Sequence, residues 1–236
     1  MDIVLAEEDQ KYLDGQILLI NKPLEWTSFD VVNKLRYQLK RKLGVKKLKV
    51  GHAGTLDPLA TGLLIICTGK LTKQIDTIQA QEKEYTGIIT LGGTTPSYDL
   101  ETEIDNTFDF SNITDADIYK TAASFLGESE QMPPVFSAKK VGGKKAYIEA
   151  RKGKSIKLSP RSILISSFSI EKIEMPNVYF RISCSKGTYI RSIAYDFGVK
   201  LENGGHLSQL CRTKIGDYSL ANAHEIDGFV KNLWEG

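Results

Sequence analysis

VGHAGTLDPLATG, residues 50–62, has glycine at 51, 54 and 62 and proline at 58, and neither helical nor strand periodicity runs through it. It reads as a loop, and a compact domain seldom carries one this long without a use for it. Gly54 and Gly62 permit sharp turns and close approach of a ligand, while Pro58 restricts Asp57 to an extended conformation. Two readings of Asp57 stand: an Asx turn in a glycine-rich loop, or a carboxylate placed for catalysis. The residues alone leave both open.

Outward from this loop the chain alternates between strand and helix signals. QILLINKP, residues 16–23, is apolar enough for a buried strand, and Thr27 and Ser28 offer an N-cap. Val31, Val32, Leu35, Leu39 and Leu43 follow at helical spacing, with Gly44 as the stop. After the loop come a strand at LLIICTG, a short helix around 71–81, and a strand at EYTGIITLGG. Thr114 and Asp117 form a capping pair for a helix reaching Phe125 and Leu126, ended by Gly127. Strands near 162–173 and 178–185, a turn and helix at KGTYIRSIAYDFGVKL, a strand at 207–220 and a helix at 222–234 complete the reading. Without regular βαβ alternation, this predicts an α+β fold, a mixed and largely antiparallel sheet flanked by helices. Residues 131–158, with paired prolines, paired glycines and dense lysine, read as a protruding basic insertion.

The net charge of +2 hides a segregation. Residues 34–49 hold eight Lys or Arg and no acid, and residues 139–157 hold eight against Glu149 alone. Seven acids fall between Asp99 and Asp117. One basic run could be a solvated face; two point to a polyanionic partner, nucleic acid foremost. Several classes drop out. Cys67, Cys184 and Cys211 are dispersed and read as buried reduced thiols, and the three histidines show no metal-ligand spacing. Thr68-Gly69-Lys70-Leu71-Thr72 resembles the end of a phosphate-binding loop, but Leu64 stands where its first glycine belongs. Ser-x-x-Lys occurs three times with none of its usual companions. The acidic amino terminus is no secretory signal, and no apolar run is long enough to span a bilayer, so the expectation is a cytoplasmic protein with no membrane association.

The loop resembles the catalytic motif of TruB-type pseudouridine synthases, Gly-His-x-Gly-x-Leu-Asp-Pro-x-Ala-x-Gly. Further segments match in order: Lys22-Pro23 with Thr27-Ser28, KEYTG at 83–87, Ser97-x-Asp99, Gln131-x-Pro133-Pro134 with Ser137-Ala138, KGTYIR at 186–191, and Gly205-His206-Leu207 with Leu210-Cys211-Arg212. The resemblance covers about residues 15–220. It implies a pseudouridine-synthase fold and an enzyme that isomerises uridine 55 in the T-loop of tRNA without a cofactor or metal. Asp57 would be the essential carboxylate, Tyr85 would stack on the target base, and Arg191 would pair with Asp57. Tyr189 and Leu210 would line the pocket, and His52 would contact RNA near the flipped nucleotide. Asp99 is placed among the substrate-binding residues, as are Lys139, Lys144 and Lys145 of the insertion.

Pseudouridine formation breaks the bond from C1′ to N1, turns the base and joins C1′ to C5, so every substrate atom is kept and no redox change occurs. A carboxylate can assist by covalent attack or by removing a sugar proton on the way to a glycal. The base must leave its stack to be reached, and an aromatic face can hold it once flipped. Three departures from the family pattern stand out: Glu25 and Thr102 occupy glycine positions, and Cys211 replaces the first of an arginine pair. The chain is expected to form a single catalytic domain over 1–236, with an RNA-binding insertion and without the PUA domain of many relatives. It would act as a monomer on the tRNA T-arm with no obligate protein partner. The alternative is a catalytically idle protein that binds or folds tRNA on the same scaffold.

Overall fold

A computed structural model describes residues 7–134, 140–141, 144–145 and 159–235. The fold is α+β with a largely antiparallel sheet flanked by helices. It divides into two compact units, residues 1–84 with 211–236, and residues 85–210.

The first unit opens with helix α1 (Glu7–Asp14), which the sequence reading missed, and strand β1 (Ile17–Lys22). Helix α2 (Ser28–Leu43) carries the expected apolar stripe, every member buried, between a Thr27–Asp30 capping box and a left-handed Gly44. Strands β2 (Val50–His52) and β3 (Ala60–Thr68) claim both ends of the stretch read as a loop, leaving only 53–59 irregular. Pairing is the reason: β2 lies antiparallel on β3 with His52 opposite Ile66, and β1 lies antiparallel on β3 with Ile20 opposite Leu64. A short 3-10 helix (Gly69–Gln74) and α3 (Ile75–Ala80) follow.

Strand β3 explains its own unbroken apolar run, because it is buried on both faces. Leu64 and Ile66 meet Val31, Val32, Leu35 and Leu39 of α2, whereas Leu63, Ile65 and Cys67 meet Ala53, Ile78 and Ile215.

The unit boundary falls within β4 (Lys83–Leu91). The second unit continues with β5 (Gly93–Thr94) on β6 (Asn106–Thr107), α4 (Asp115–Ala123) behind its Thr114–Asp117 capping box, and β7 (Gly127–Gln131). Of the basic insertion, β8 (Lys140–Val141) and β9 (Lys144–Lys145) pair antiparallel; Lys139 lies outside the described residues. The long hairpin β10 (Arg161–Glu174) and β11 (Asn177–Cys184) precedes helix α5 (Ile190–Lys200) and β12 (Gly205–Ile215). Strand order in this unit is β12-β4-β11-β10-β7, over a core where Phe125, Phe168, Phe180 and Phe197 meet ring to ring.

Back in the first unit, the strand expected at 207–220 is two, β12 and β13 (Tyr218–Ser219), divided by a turn at Gly216 with φ of 51°. The terminal helix α6 (Ile226–Glu235) starts later than read, because β14 (His224–Glu225) first pairs in parallel with β1. Among the described residues no helix is long and apolar enough to cross a membrane.

Candidate active site

Asp57 sits half-buried in the 53–59 loop of the first unit, and its neighbours fix its backbone. Thr27 caps α2, which frees the next residue, Ser28, to turn inward. The Ser28 hydroxyl accepts from the Leu56 amide at 2.9 Å and donates to the Leu56 carbonyl at 3.2 Å. On the other flank the Pro58 carbonyl accepts from the Lys22 ammonium at 3.2 Å and from the Glu25 amide at 2.9 Å. Glu25 makes that bond with φ of 67°, a backbone region that favours glycine, the residue the resemblance led one to expect there.

Lys22 is wholly buried, and its ammonium also donates to the carbonyls of Pro23 at 2.9 Å and Trp26 at 2.6 Å. Burial pushes its pKa from 10.5 down to about 8, although the nearby Asp57 charge opposes the fall. Arg212 of β12 is a second buried cation, donating to the Leu63 carbonyl at 2.8 Å and the Gly54 carbonyl at 3.0 Å. Gly62, at φ of 101°, must be glycine: a Cβ there would lie 2.4 Å from the Arg212 carbonyl oxygen. His52 of β2 is half-buried, and burial with the Arg212 charge holds its imidazole below the usual value. It therefore stays neutral at pH 7.

In the second unit Arg191, in the first turn of α5, is buried. Its Nη1 donates to the Ser97 carbonyl at 3.1 Å, and its Nε lies 3.6 Å from Asp99 Oδ2. Asp99 also accepts from the Glu101 amide at 3.0 Å, and its carbonyl takes the hydroxyls of Thr95 and Ser97. Thr102, the second departure from a family glycine, closes this loop by accepting from the Ser97 amide at 3.1 Å. Tyr189 is held by two bonds between its backbone and the Gln131 side chain, at 2.8 and 3.0 Å, with the Arg161 guanidinium over its ring. Tyr85 is buried in β4 and Leu210 half-buried in β12.

The structure thus gathers His52 and Asp57 in one unit, and Tyr85, Asp99, Tyr189, Arg191 and Leu210 in the other. It gives Arg191 a carboxylate partner, Asp99, that the sequence reading had not assigned to it. Lys22, Ser28 and Arg212 match the resembled segments but carry no evident role in the sequence. The available signal was a lysine closing an apolar strand and an arginine within another strand, since a buried cation must find acceptors.

The model describing the TruB family pseudouridylate synthase N-terminal domain matches residues 40–190. The chain belongs to that family of pseudouridylate synthases. Relatives named tRNA pseudouridine synthase B include one from Flavobacterium johnsoniae, 56% identical over 95% of this chain and 98% of its own length. Another, from Phocaeicola vulgatus, is 50% identical over 94% of each chain. Among solved structures, an H/ACA ribonucleoprotein bound to a substrate RNA containing 2′-deoxyuridine superposes with a TM-score of 0.70 at 23% identity. That match covers 98% of this chain and 57% of the other, and bears on the fold alone.

Proposed function

We propose that the protein is a tRNA pseudouridine synthase, one catalytic domain that isomerises uridine 55 of the T-loop with Asp57 as its catalytic carboxylate. The observation that carries this reading is the hold on Asp57, whose flanking residues are gripped by Ser28 and by buried Lys22. A catalytic group must be held in place before substrate arrives, and neighbours that bear the positioning bonds do this. Family membership and the names of the 50–56% identical relatives support the reaction and the tRNA substrate.

In this reading Tyr85 stacks on the flipped base, Tyr189 and Leu210 line its pocket, and Arg191 pairs with Asp57. His52, neutral at pH 7, contacts RNA beside the flipped nucleotide, and Asp99 serves substrate binding through its hold on Arg191. Lys139, Lys144 and Lys145 meet phosphates and supply salt-sensitive affinity. No protein partner is needed, and the protein works as a monomer.

The test is a map of pseudouridine in tRNA from cells with and without this protein. Loss of the modification at position 55, restored by the wild-type chain and not by Asp57→Asn, is the expected outcome. An unchanged map would favour the idle tRNA-binding alternative.

A further inference from the structure

Within the second unit the loop Thr95–Thr102 meets helix α5 through three consecutive residues. The Ser97 carbonyl and the Asp99 carboxylate face the Arg191 guanidinium, at 3.1 and 3.6 Å. Between them Tyr98 lays its ring on Tyr195, with centroids 4.1 Å apart and planes 21° from parallel. The ring pairs of the phenylalanine core stand 5.8 to 6.1 Å apart, so this is the tightest aromatic contact among them. Arg191 and Tyr195 are four residues apart on one helix and therefore share a face, one turn above the other.

Tyr98 takes this position at φ of 65°, in the left-handed region that favours glycine or asparagine and that a bulky side chain rarely adopts. Its backbone is tied at both ends. The Tyr98 amide donates to the Thr95 carbonyl at 3.1 Å, and its carbonyl accepts from the Leu207 amide at 2.9 Å. A turn needing only positive φ would be better served by Gly or Asn. The ring contact is what an aromatic residue adds, and it falls beside the ion pair. Burial with the neighbouring Tyr195 and Asp196 raises the Tyr98 phenol pKa, so the hydroxyl stays protonated and the ring faces make the contact.

A long side chain such as Arg191 has many rotamers, and contacts gathered at its one guanidinium leave the loop side chains able to pivot about it. Adding a stacked ring one helical turn away removes that freedom. We infer that Tyr98 and Tyr195 are positioning residues, whose stacked rings register the 95–102 loop on α5 so that Asp99 and Ser97 hold Arg191 in its working orientation. The inference rests on the proposed function, because it gives Arg191 a place in the reaction. Neither tyrosine touches the reacting atoms; both act through Arg191.

The experiment uses the full chain and a tRNA transcript, reading kcat and KM for pseudouridine formation. Tyr98→Gly relieves the backbone and deletes the ring; it should lower kcat about tenfold while KM moves less than about twofold. Tyr98→Phe should restore kcat to within about twofold, whereas Tyr98→Asn should not. Tyr195→Ala, which removes the stack from the helix side, should reproduce the loss if Tyr98→Gly folds poorly. In an Asp99→Asn background, where the ion pair served by the stack is already lost and only the Ser97 bond remains, Tyr98→Gly should cost clearly less than it does alone. A general weakening of the fold would instead add its full effect there. Wild-type kcat in both Tyr98→Gly and Tyr195→Ala, or a full additional loss in the Asp99→Asn background, would overturn the inference while leaving the proposed function intact. A wild-type chain that forms no pseudouridine would overturn both.

Discussion

Two loops present a carboxylate, and they are held differently. Around Asp57 the bonds run through backbone: Ser28 takes Leu56, Lys22 takes the Pro58 carbonyl, and Arg212 takes the Gly54 carbonyl. Around Asp99 the aspartate side chain itself takes part, facing Arg191 at 3.6 Å and accepting from Glu101 at 3.0 Å. The difference separates two uses of one residue type. Bonds to flanking backbone fix where a loop carries its aspartate, whereas bonds to the carboxylate fix how the side chain itself is turned.

The comparison breaks most visibly at Arg212. Arg212→Met keeps much of the apolar stem but leaves the buried Gly54 and Leu63 carbonyls without their donor. The expected cost is about 3 kcal/mol, a fall in melting temperature of about 10 °C for a chain of this size. A shift smaller than about 2 °C in calorimetry would mean that the Asp57 loop does not depend on this cation.

Ser28→Ala makes a smaller break, removing one hydroxyl and with it both bonds to Leu56. About 1–2 kcal/mol of stability should go. If the grip positions Asp57, kcat should also fall while KM stays nearly constant. A variant that loses stability with kcat intact would reduce Ser28 to a structural role.

Lys22 offers the finest adjustment. Its folded pKa of about 8 lies below its ordinary 10.5. Between those values the unfolded chain holds a proton that the folded chain has released, so this group's contribution to stability rises as pH climbs through 8. Lys22→Met has no such group. The unfolding free energy of the wild type relative to Lys22→Met should therefore increase by about 1 kcal/mol from pH 7 to pH 9 in denaturant titrations. A difference that is flat or falls over that interval would show that Lys22 does not carry a depressed pKa.

How far the sequence disclosed this follows from where each signal lives. Helix α2 was legible to its last residue, because its apolar spacing, its cap and its glycine stop are all local. The irregular stretch around Asp57 was legible because Gly54 and Pro58 lie within a few positions of it, while the use of its carboxylate was not. The ends of its loop were misread, since β2 and the start of β3 exist only through strand pairing. Lys22 and Arg212 stand 190 positions apart in sequence, so neither the burial that chiefly lowers Lys22's pKa nor the Arg212 charge that adds to it can be read locally. The Asp99–Arg191 pair spans more than ninety residues, and neither residue advertises the other. Glu25 is the reverse case: its departure from the resembled glycine was visible in sequence, and its φ of 67° lies in a region a non-glycine residue occupies at some cost.

Whether the Asp57 carboxylate carries the chemistry is read with a tRNA transcript carrying tritium at C5 of its uridines. Joining C1′ to C5 expels the hydrogen on C5, so each turnover releases tritium to water. The wild type should release tritium and Asp57→Asn none above background, while the variant's affinity for the transcript stays within about tenfold, ~1.4 kcal/mol, of the wild type. Substantial tritium release by a verified Asp57→Asn protein would contradict the account, for chemistry would then proceed without the carboxylate that the loop is built to hold.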